Sequence, residues 1–479
     1  MIKKKELIKK ISTEIGKIEE IISVNFVGSF LSKSNFSDID IVIIGETINK
    51  KIINKCHNVI KRINYKSYGT KKKILINDTF GPLKFNTDIN IVFHLMIYSR
   101  EDHIKHVINS PFTCYDWERI VPAYGKSLKD IYPVSKLFIS DFFEKNRSIN
   151  NYKKNLISRK INYKKYVFKK NKMLIKNLNY KIINKDIYEF CYHVISFSSK
   201  NYLKYITRKN RVFTNSEIIN LIEKIYFKKK ITEIIDFYKE LIIFKNKGKI
   251  EISSNEAIKI TLNFLKKFQK YLVNHTKEAV NVDFKRHLKT KYKKEIFLGQ
   301  KINPPILKKN NYKIKKSYNF VYSSPSLRAK ETSSLFSKKF TINSSLKEID
   351  YGKVEGMTYK ELCLSYPNIV NNWRKKKDIR FPKGESSQDI YKRVLGFLKL
   401  VKKFKKEKKY LIVTHNVFLR CLVGSYFDIP IFKWYLINID YGENLNFKII
   451  NKKLFINIPR KKFRKIFQNI YENSSSNKT

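Results

Sequence analysis

The chain has 479 residues, 42% of them hydrophobic, enough for two to four ordinarily packed domains. Its formal net charge of +59 favours anionic partners and disfavours cationic ones. Abundant Lys, Asn, Ile, Phe and Tyr beside only 14 Gly and 11 Pro mark an A/T-rich coding bias, so the charge reads first as composition and second as a nucleic-acid surface. The cysteines Cys56, Cys114, Cys191, Cys363 and Cys421 show no CxxC spacing, which argues against a zinc knuckle or a disulfide framework and fits a reducing cytoplasm. "MIKKKELIKK" is basic without a following apolar stretch, so no signal peptide is expected. No apolar run reaches the roughly 18 residues of a membrane span.

Ile8, Ile11, Ile15, Ile18 and Ile22 recur at helical spacing and predict an amphipathic helix over 4–22. "VNFVGSF" (24–30), "DIDIVII" (38–44), "KKILIN" (72–77) and "FNTDINIVFHLMI" (85–97) read as strands. From about 140 to 275 the pattern is helical and lysine-rich, with helices expected at 152–177, 186–206, 215–228, 230–245 and 254–273. Strands and helices then alternate in an α/β manner from "AVNVDFKRH" onward. Residues 461–479, ending "ENSSSNKT", read as a basic, Ser-rich tail.

Two constellations carry chemistry. In "FVGSFLSKSNFSDIDIVII" (26–44) a strand delivers Gly28-Ser29, and the next strand carries Asp38 and Asp40 on one face. Paired carboxylates there can hold Mg²⁺, and the Gly-Ser backbone can approach a triphosphate closely. This stretch resembles the DNA polymerase β-like nucleotidyltransferase superfamily. The resemblance implies a third carboxylate, for which Asp88 is the best candidate and Asp78 the fallback, and attack of a hydroxyl on an NTP α-phosphate. The helical middle fits a substrate-binding domain of such enzymes. His94, in an apolar strand, reads as a satisfied core histidine.

Further on, "NVDFKRHLKTKY" (281–292) ends a strand on Arg286-His287, and "VYSSPSLRAKETSSLF" (321–336) places Arg328 in the first turns of a helix. "SLKEIDYGKVEGMTYKEL" carries Glu348, "FPKGESSQDIYKRV" opens a helix through Ser386-x-x-Asp389, and "YLIVTHN" ends an apolar strand on His415. These blocks resemble the histidine phosphatase (phosphoglycerate mutase-like) superfamily, across roughly 280–458. The resemblance implies a three-layer α/β domain in which His287 becomes phosphohistidine, Arg286, Arg328 and His415 hold the phosphoryl oxygens, and Glu348 protonates the leaving alcohol and then activates water. Glu355 and Glu385 match as well and read as structural hydrogen-bonding groups. Three positions depart from the family pattern: Leu288 for Gly, where a side chain would crowd the pocket, Lys293 for Asn, and Asn416 for Gly.

The expected organisation is a nucleotidyltransferase-like α+β domain (1–138), a helical domain (139–276), a histidine phosphatase-like domain (277–460) and a tail (461–479). The expected function is bifunctional: Mg²⁺-dependent nucleotidyl transfer at one head and phosphomonoester hydrolysis at the other, the latter without a cofactor. The partners are NTP and a phosphorylated small molecule, with no membrane. One alternative is a phosphatase or mutase with a nucleotide-binding but non-catalytic N-terminal half. Another is a basic nucleic-acid-binding protein with decayed catalytic domains. It is disfavoured because the basic residues are spread along the chain without a recognition motif.

Overall fold

The computed structural model describes residues 3–31, 38–70, 72–77, 79–80, 90–141, 147–169, 172–226, 232–247, 249–292, 295–307 and 317–472. The chain forms two compact units. The first is Met1–Leu137 with Asp141–Tyr271; the second is Phe138–Ser140 with Leu272–Thr479.

The first unit contains β1 (Ile21–Val27), β2 (Asp38–Gly45), β3 (Lys73–Asn77), β4 (Thr79–Phe80), β5 (Asn90–Ser99), β6 (Tyr124–Gly125), β7 (Lys160–Lys169) and β8 (Lys172–Lys181). Five of them form a sheet in the order β3-β5-β2-β1-β6. β2 runs antiparallel to β1 and parallel to β5, so it is central and buried along almost its whole length. The helices Lys4–Gly16 and Lys50–Arg62 bury Leu7, Ile11, Ile15, Ile53, Cys56 and Ile60 in the same core as Phe26, Ile41 and Phe93. The remaining strands form a second sheet, β4-β7-β8, followed by the long helices Asn184–Thr207, Asn215–Tyr226, Thr232–Lys247 and Ser254–Lys277.

Two sequence expectations are corrected here. The helix predicted over 4–22 ends at Gly16, and Ile21 and Ile22 already belong to β1. The isoleucine spacing continues through a turn into a strand, because Ile18 and Ile21 still face the core. The helix predicted over 152–177 is a helix only at Arg147–Ser158 and then a ten-pair antiparallel hairpin, Lys160↔Lys181 to Lys169↔Lys172. The run "INYKKYVF" is rich in aromatic and β-branched residues, and the abundant lysines hide that strand preference.

The second unit is built on a six-stranded sheet of β9 (Val280–Arg286), β10 (Phe320–Ser323), β11 (Thr341–Ile342), β12 (Lys409–Thr414), β13 (Asn444–Ile450) and β14 (Lys453–Ile456), in the order β11-β10-β12-β9-β13-β14. The first four in that order are mutually parallel; β13 runs antiparallel to β9, and β14 antiparallel to β13. Tyr410 to Thr414 are buried without interruption, as expected of a central parallel strand covered on both faces. One large core lies under the helices Ser387–Val401 and Asn416–Tyr426.

That core extends past the expected domain end. The residues expected to start a tail form the helix Arg460–Glu472, which buries Phe463, Ile466, Phe467 and Ile470 in the core. Phe463 meets Phe138 and Phe427 at ring-centroid distances of 5.2 and 4.8 Å, which also ties Phe138 to this unit. Positions 463, 466, 467 and 470 follow the i, i+3, i+4, i+7 pattern of a buried helix face. The basic residues Arg460, Lys461, Lys462, Arg464 and Lys465 mask that stripe when the segment is judged by composition. No described helix is long and apolar enough to cross a membrane.

Candidate active site

Three parallel strands end side by side, and the candidate residues follow directly. The pairing Thr414↔Arg286 aligns the end of β12 with that of β9, and Ser323↔Val413 aligns β10. His287 N–H donates to Thr414 O at 3.0 Å, and Ser324 N–H donates to Val413 O at 3.0 Å. His287, His415 and Arg328 therefore meet at the carboxyl edge of the sheet, the usual crevice of open α/β folds. The His287 and His415 rings lie 5.1 Å apart.

His287 is held in one tautomer. Its Nδ1 lies 2.8 Å from Leu288 O, and its Nε2 accepts from Arg328 Nε at 3.3 Å. A guanidinium can only donate, so Nε2 carries the lone pair and Nδ1 the proton. Burial first, and Arg328 second, hold this imidazole well below its ordinary pKa. His415 is depressed in the same way, by burial and then Arg328. Its Nε2 lies 2.8 Å from Ser324 Oγ and 3.2 Å from Ser326 Oγ.

The two arginines are anchored through backbone carbonyls. Arg328, 1% exposed, donates to Gly299 O at 2.7 Å and Ile302 O at 3.2 Å. Arg286 donates to Ile439 O at 2.6 Å and stacks 3.7 Å over the Tyr441 ring. Among the described residues, Arg286 Nε and His415 Nδ1 find no hydrogen-bond partner. The loop that holds Arg328 is organised by Glu355, which accepts from the N–H groups of Gln300, Lys301 and Ile302 at 3.1, 2.8 and 2.7 Å.

Glu348 is buried and accepts from Asn416 N–H and Val417 N–H, each at 3.1 Å, at the start of the helix Asn416–Tyr426. Burial raises its pKa above the ordinary carboxylate value, against those bonds and the nearby arginines. Arg393 staples the loop that presents Glu348 by donating to the carbonyls of Ser345, Lys347 and Glu348. Glu385 in turn holds Arg393 in a two-pronged contact at 3.1 and 2.7 Å. Both Glu355 and Glu385 are thus supports.

The backbone at Leu288 does not require the glycine of the family pattern. Leu288 has no positive φ, and its N–H donates to Thr332 Oγ1 at 3.0 Å. Its side chain leans on Gly442, where a Cβ would come within 2.9 Å of Leu288 Cδ2. Gly442, at φ +70°, is the residue that makes room. A cavity of about 510 Å³ is lined by Lys289, Thr290, Tyr292, Phe297, Tyr359 and Tyr441 among others, and the Tyr441 ring centroid lies 5.5 Å from that of His287. Lys293 lies outside the described residues. Sequence reasoning passed over Tyr441 and Arg420. Arg420, buried on the helix after His415, donates to Ile437 O at 2.8 Å. Its place little more than one helical turn beyond His415 was the available signal.

In the first unit, Gly28 follows β1 at φ +79°, and a Cβ there would collide with Asp40 Oδ2. Only glycine lets the turn and this carboxylate approach so closely. Ser29 opens a short 3-10 turn, Ser29–Leu31. Asp38 is buried, and burial raises Asp40 to about 6. Asp88 and Asp78 lie outside the described residues. His94, read from sequence as a core residue, stands opposite Asp40 in the parallel β2–β5 register. Among the described residues Asp38, Asp40 and His94 bring one potential ligand atom each within 4.8 Å of one another. The donors fit a divalent cation: two carboxylates supply charge, and one imidazole supplies a neutral ligand.

Comparison with known proteins bears on the second unit. Residues 311–456 match the histidine phosphatase superfamily (branch 1). A 6-phosphofructo-2-kinase/fructose-2,6-bisphosphatase of Caenorhabditis elegans is 28% identical over 114 residues, 23% of this chain and 24% of that protein. Phosphoserine phosphatase 1 of Hydrogenobacter thermophilus is 27% identical over 136 residues, 27% of this chain and 63% of that protein. An alpha-ribazole phosphatase structure from Shigella flexneri covers 37% of this chain and 95% of its own at 18% identity, with a TM-score of 0.33. The chain spans about a quarter of the length of the first curated relatives it matches. Its C-terminal unit carries a domain of the histidine phosphatase superfamily within a mixed α/β, multidomain protein. The matched segment starts at 311, beyond Arg286 and His287, which join it through β9.

Proposed function

We propose that the C-terminal unit hydrolyses phosphomonoesters of small molecules through a phosphohistidine on His287. The observation that carries this reading is the His287 tautomer: an unprotonated Nε2 aimed at Arg328, in a site holding a second arginine and a second neutral histidine. In the first half-reaction Nε2 attacks phosphorus, the P–O bond to the alcohol breaks, and Glu348 gives the leaving oxygen its proton. Arg286, Arg328 and His415 hold the three phosphoryl oxygens. In the second, Glu348 takes a proton from water, which attacks phosphorus and frees His287 with inorganic phosphate. Relatives named for fructose-2,6-bisphosphate and phosphoserine hydrolysis support this reaction class. His287→Ala should abolish p-nitrophenyl phosphate hydrolysis, and acid-labile, base-stable phosphate should be trapped on the wild type alone. Turnover by the variant at the wild-type rate would remove His287 as nucleophile.

A second reading concerns the N-terminal unit: metal-dependent nucleotidyl transfer with an NTP, in a cytoplasmic protein. It is favoured by the glycine turn of Gly28 closing on Asp40, with Asp38 on the same strand face. Mg²⁺ is the expected ion on the resemblance alone. An incorporation assay with each NTP and a divalent cation tests it; no transfer with any cation would reject it.

A further inference from the structure

We propose that Asp38, Asp40 and His94 form a mixed carboxylate–imidazole site that selects a first-row transition-metal dication of the Mn²⁺ to Zn²⁺ series over Mg²⁺. The three side chains come from two neighbouring strands. β2 and β5 pair in parallel with Asp40 opposite His94 and Asp38 opposite Val92, and residues two apart share a face. Register, which is fixed by the buried residues alternating with them, therefore holds the imidazole beside both carboxylates. Their ligand atoms lie within 4.8 Å of one another. Ligands about 2.1 Å from a common ion stand roughly 3–4 Å apart, so small side-chain rotations close the site. The backbone at Gly28 approaches Asp40 Oδ2 too closely for any side chain, which confines that carboxylate from the other strand.

The identity of the third ligand decides the ion. Mg²⁺ is a hard cation that favours oxygen and keeps several waters. An imidazole nitrogen adds affinity along the series from Mn²⁺ to Zn²⁺, and it does so as a neutral donor. Two carboxylates and one histidine thus neutralise a dication and weight the choice toward the transition metals. The site is independent of nucleotidyl transfer: it stands on β2 and β5 whether or not an NTP binds.

The test uses the metal-free full chain and titration calorimetry with Co²⁺, Mn²⁺ and Mg²⁺. Co²⁺ should bind about 10-fold or more tighter than Mg²⁺. Its visible spectrum should show nitrogen and oxygen ligation without thiolate charge transfer, which excludes binding at the cysteines. His94→Asp should shrink the Co²⁺/Mg²⁺ ratio by about 10-fold or more, because the site becomes all-oxygen. Asp40→Asn should weaken both ions. His94→Asn, closer in shape, serves if His94→Asp does not fold, and should lose more Co²⁺ than Mg²⁺ affinity. Equal wild-type affinities for Co²⁺ and Mg²⁺, or Co²⁺ binding unchanged by the substitutions at 94 and 40, would overturn the proposal. Intact metal selection without NTP transfer would reject only the nucleotidyltransferase reading.

Discussion

Glu348 couples structure to chemistry at the scale of one residue. Its carboxylate accepts the first N–H groups of the helix Asn416–Tyr426, while burial keeps its pKa above the ordinary value and so favours a protonated acid. Glu348→Gln keeps the shape and removes the transferable proton. It should lower kcat/KM for alkyl phosphates by about 10²–10⁴. The loss for p-nitrophenyl phosphate should be much smaller, because that leaving group departs as an anion and kcat/KM reports the first transfer. Equal losses on the two substrate types would mean that Glu348 acts only as a cap. The residue types of this site were legible in sequence, each at a strand end or helix start. What was not legible was which glycine the pocket needs. Leu288 replaces one, and Gly442, far downstream in the chain, supplies the space.

At the scale of elements, periodicity worked where a segment meets one core and failed where composition masks it. The helix Arg460–Glu472 carries Arg460, Lys461, Lys462, Arg464 and Lys465, yet buries one apolar stripe beneath them. Phe467 is fully buried, with its ring centroid 5.1 Å from that of Phe427 and 4.5 Å from that of Phe463. Phe467→Ala should therefore destabilise the C-terminal unit by about 3–5 kcal/mol, read from urea unfolding. A dispensable tail would show no change. The hairpin β7–β8 was missed for the converse reason: lysines spaced along a strand resemble the polar face of a helix, and cross-strand pairing, not spacing, settles the choice.

At the scale of the whole molecule, several histidines are buried as neutral rings. Burial pushes His103 down to about 4, and His287 and His415 are held well below their ordinary value. In the unfolded chain these groups protonate near pH ~6.5. Below that pH the unfolded state binds more protons, so stability is present above about 6.5 and is lost as the pH falls toward the depressed folded values. For His103 alone the loss is on the order of 3 kcal/mol once the pH is below about 4. Glu348 acts oppositely, since its raised pKa makes the folded state the better proton binder above 4.5. Asp40 and Glu240 are raised as well and act in the same sense as Glu348, but the lowered histidines His103, His193, His287 and His415 outnumber these three carboxylates, so the denaturation midpoint should fall between about pH 7 and pH 5, and His103→Gln should flatten that slope. A midpoint independent of pH would contradict the burial of neutral rings.

The sequence by itself determined the chemistry available in the second unit. Strand ends carrying Arg286-His287 and His415, and a helix start carrying Arg328, are local features that short windows display. It also determined the long helices that follow the β7–β8 hairpin, because their apolar stripes repeat over many turns. The tertiary structure decided which residues stand together. Parallel pairing of β9 with β12 brings His287 to His415, and pairing of β2 with β5 turns His94 from an apparent core residue into a neighbour of Asp38 and Asp40. The same packing added the helix at 460–472 to the C-terminal core. Register between strands distant in the chain is set by the summed burial of whole faces, which no local spacing contains.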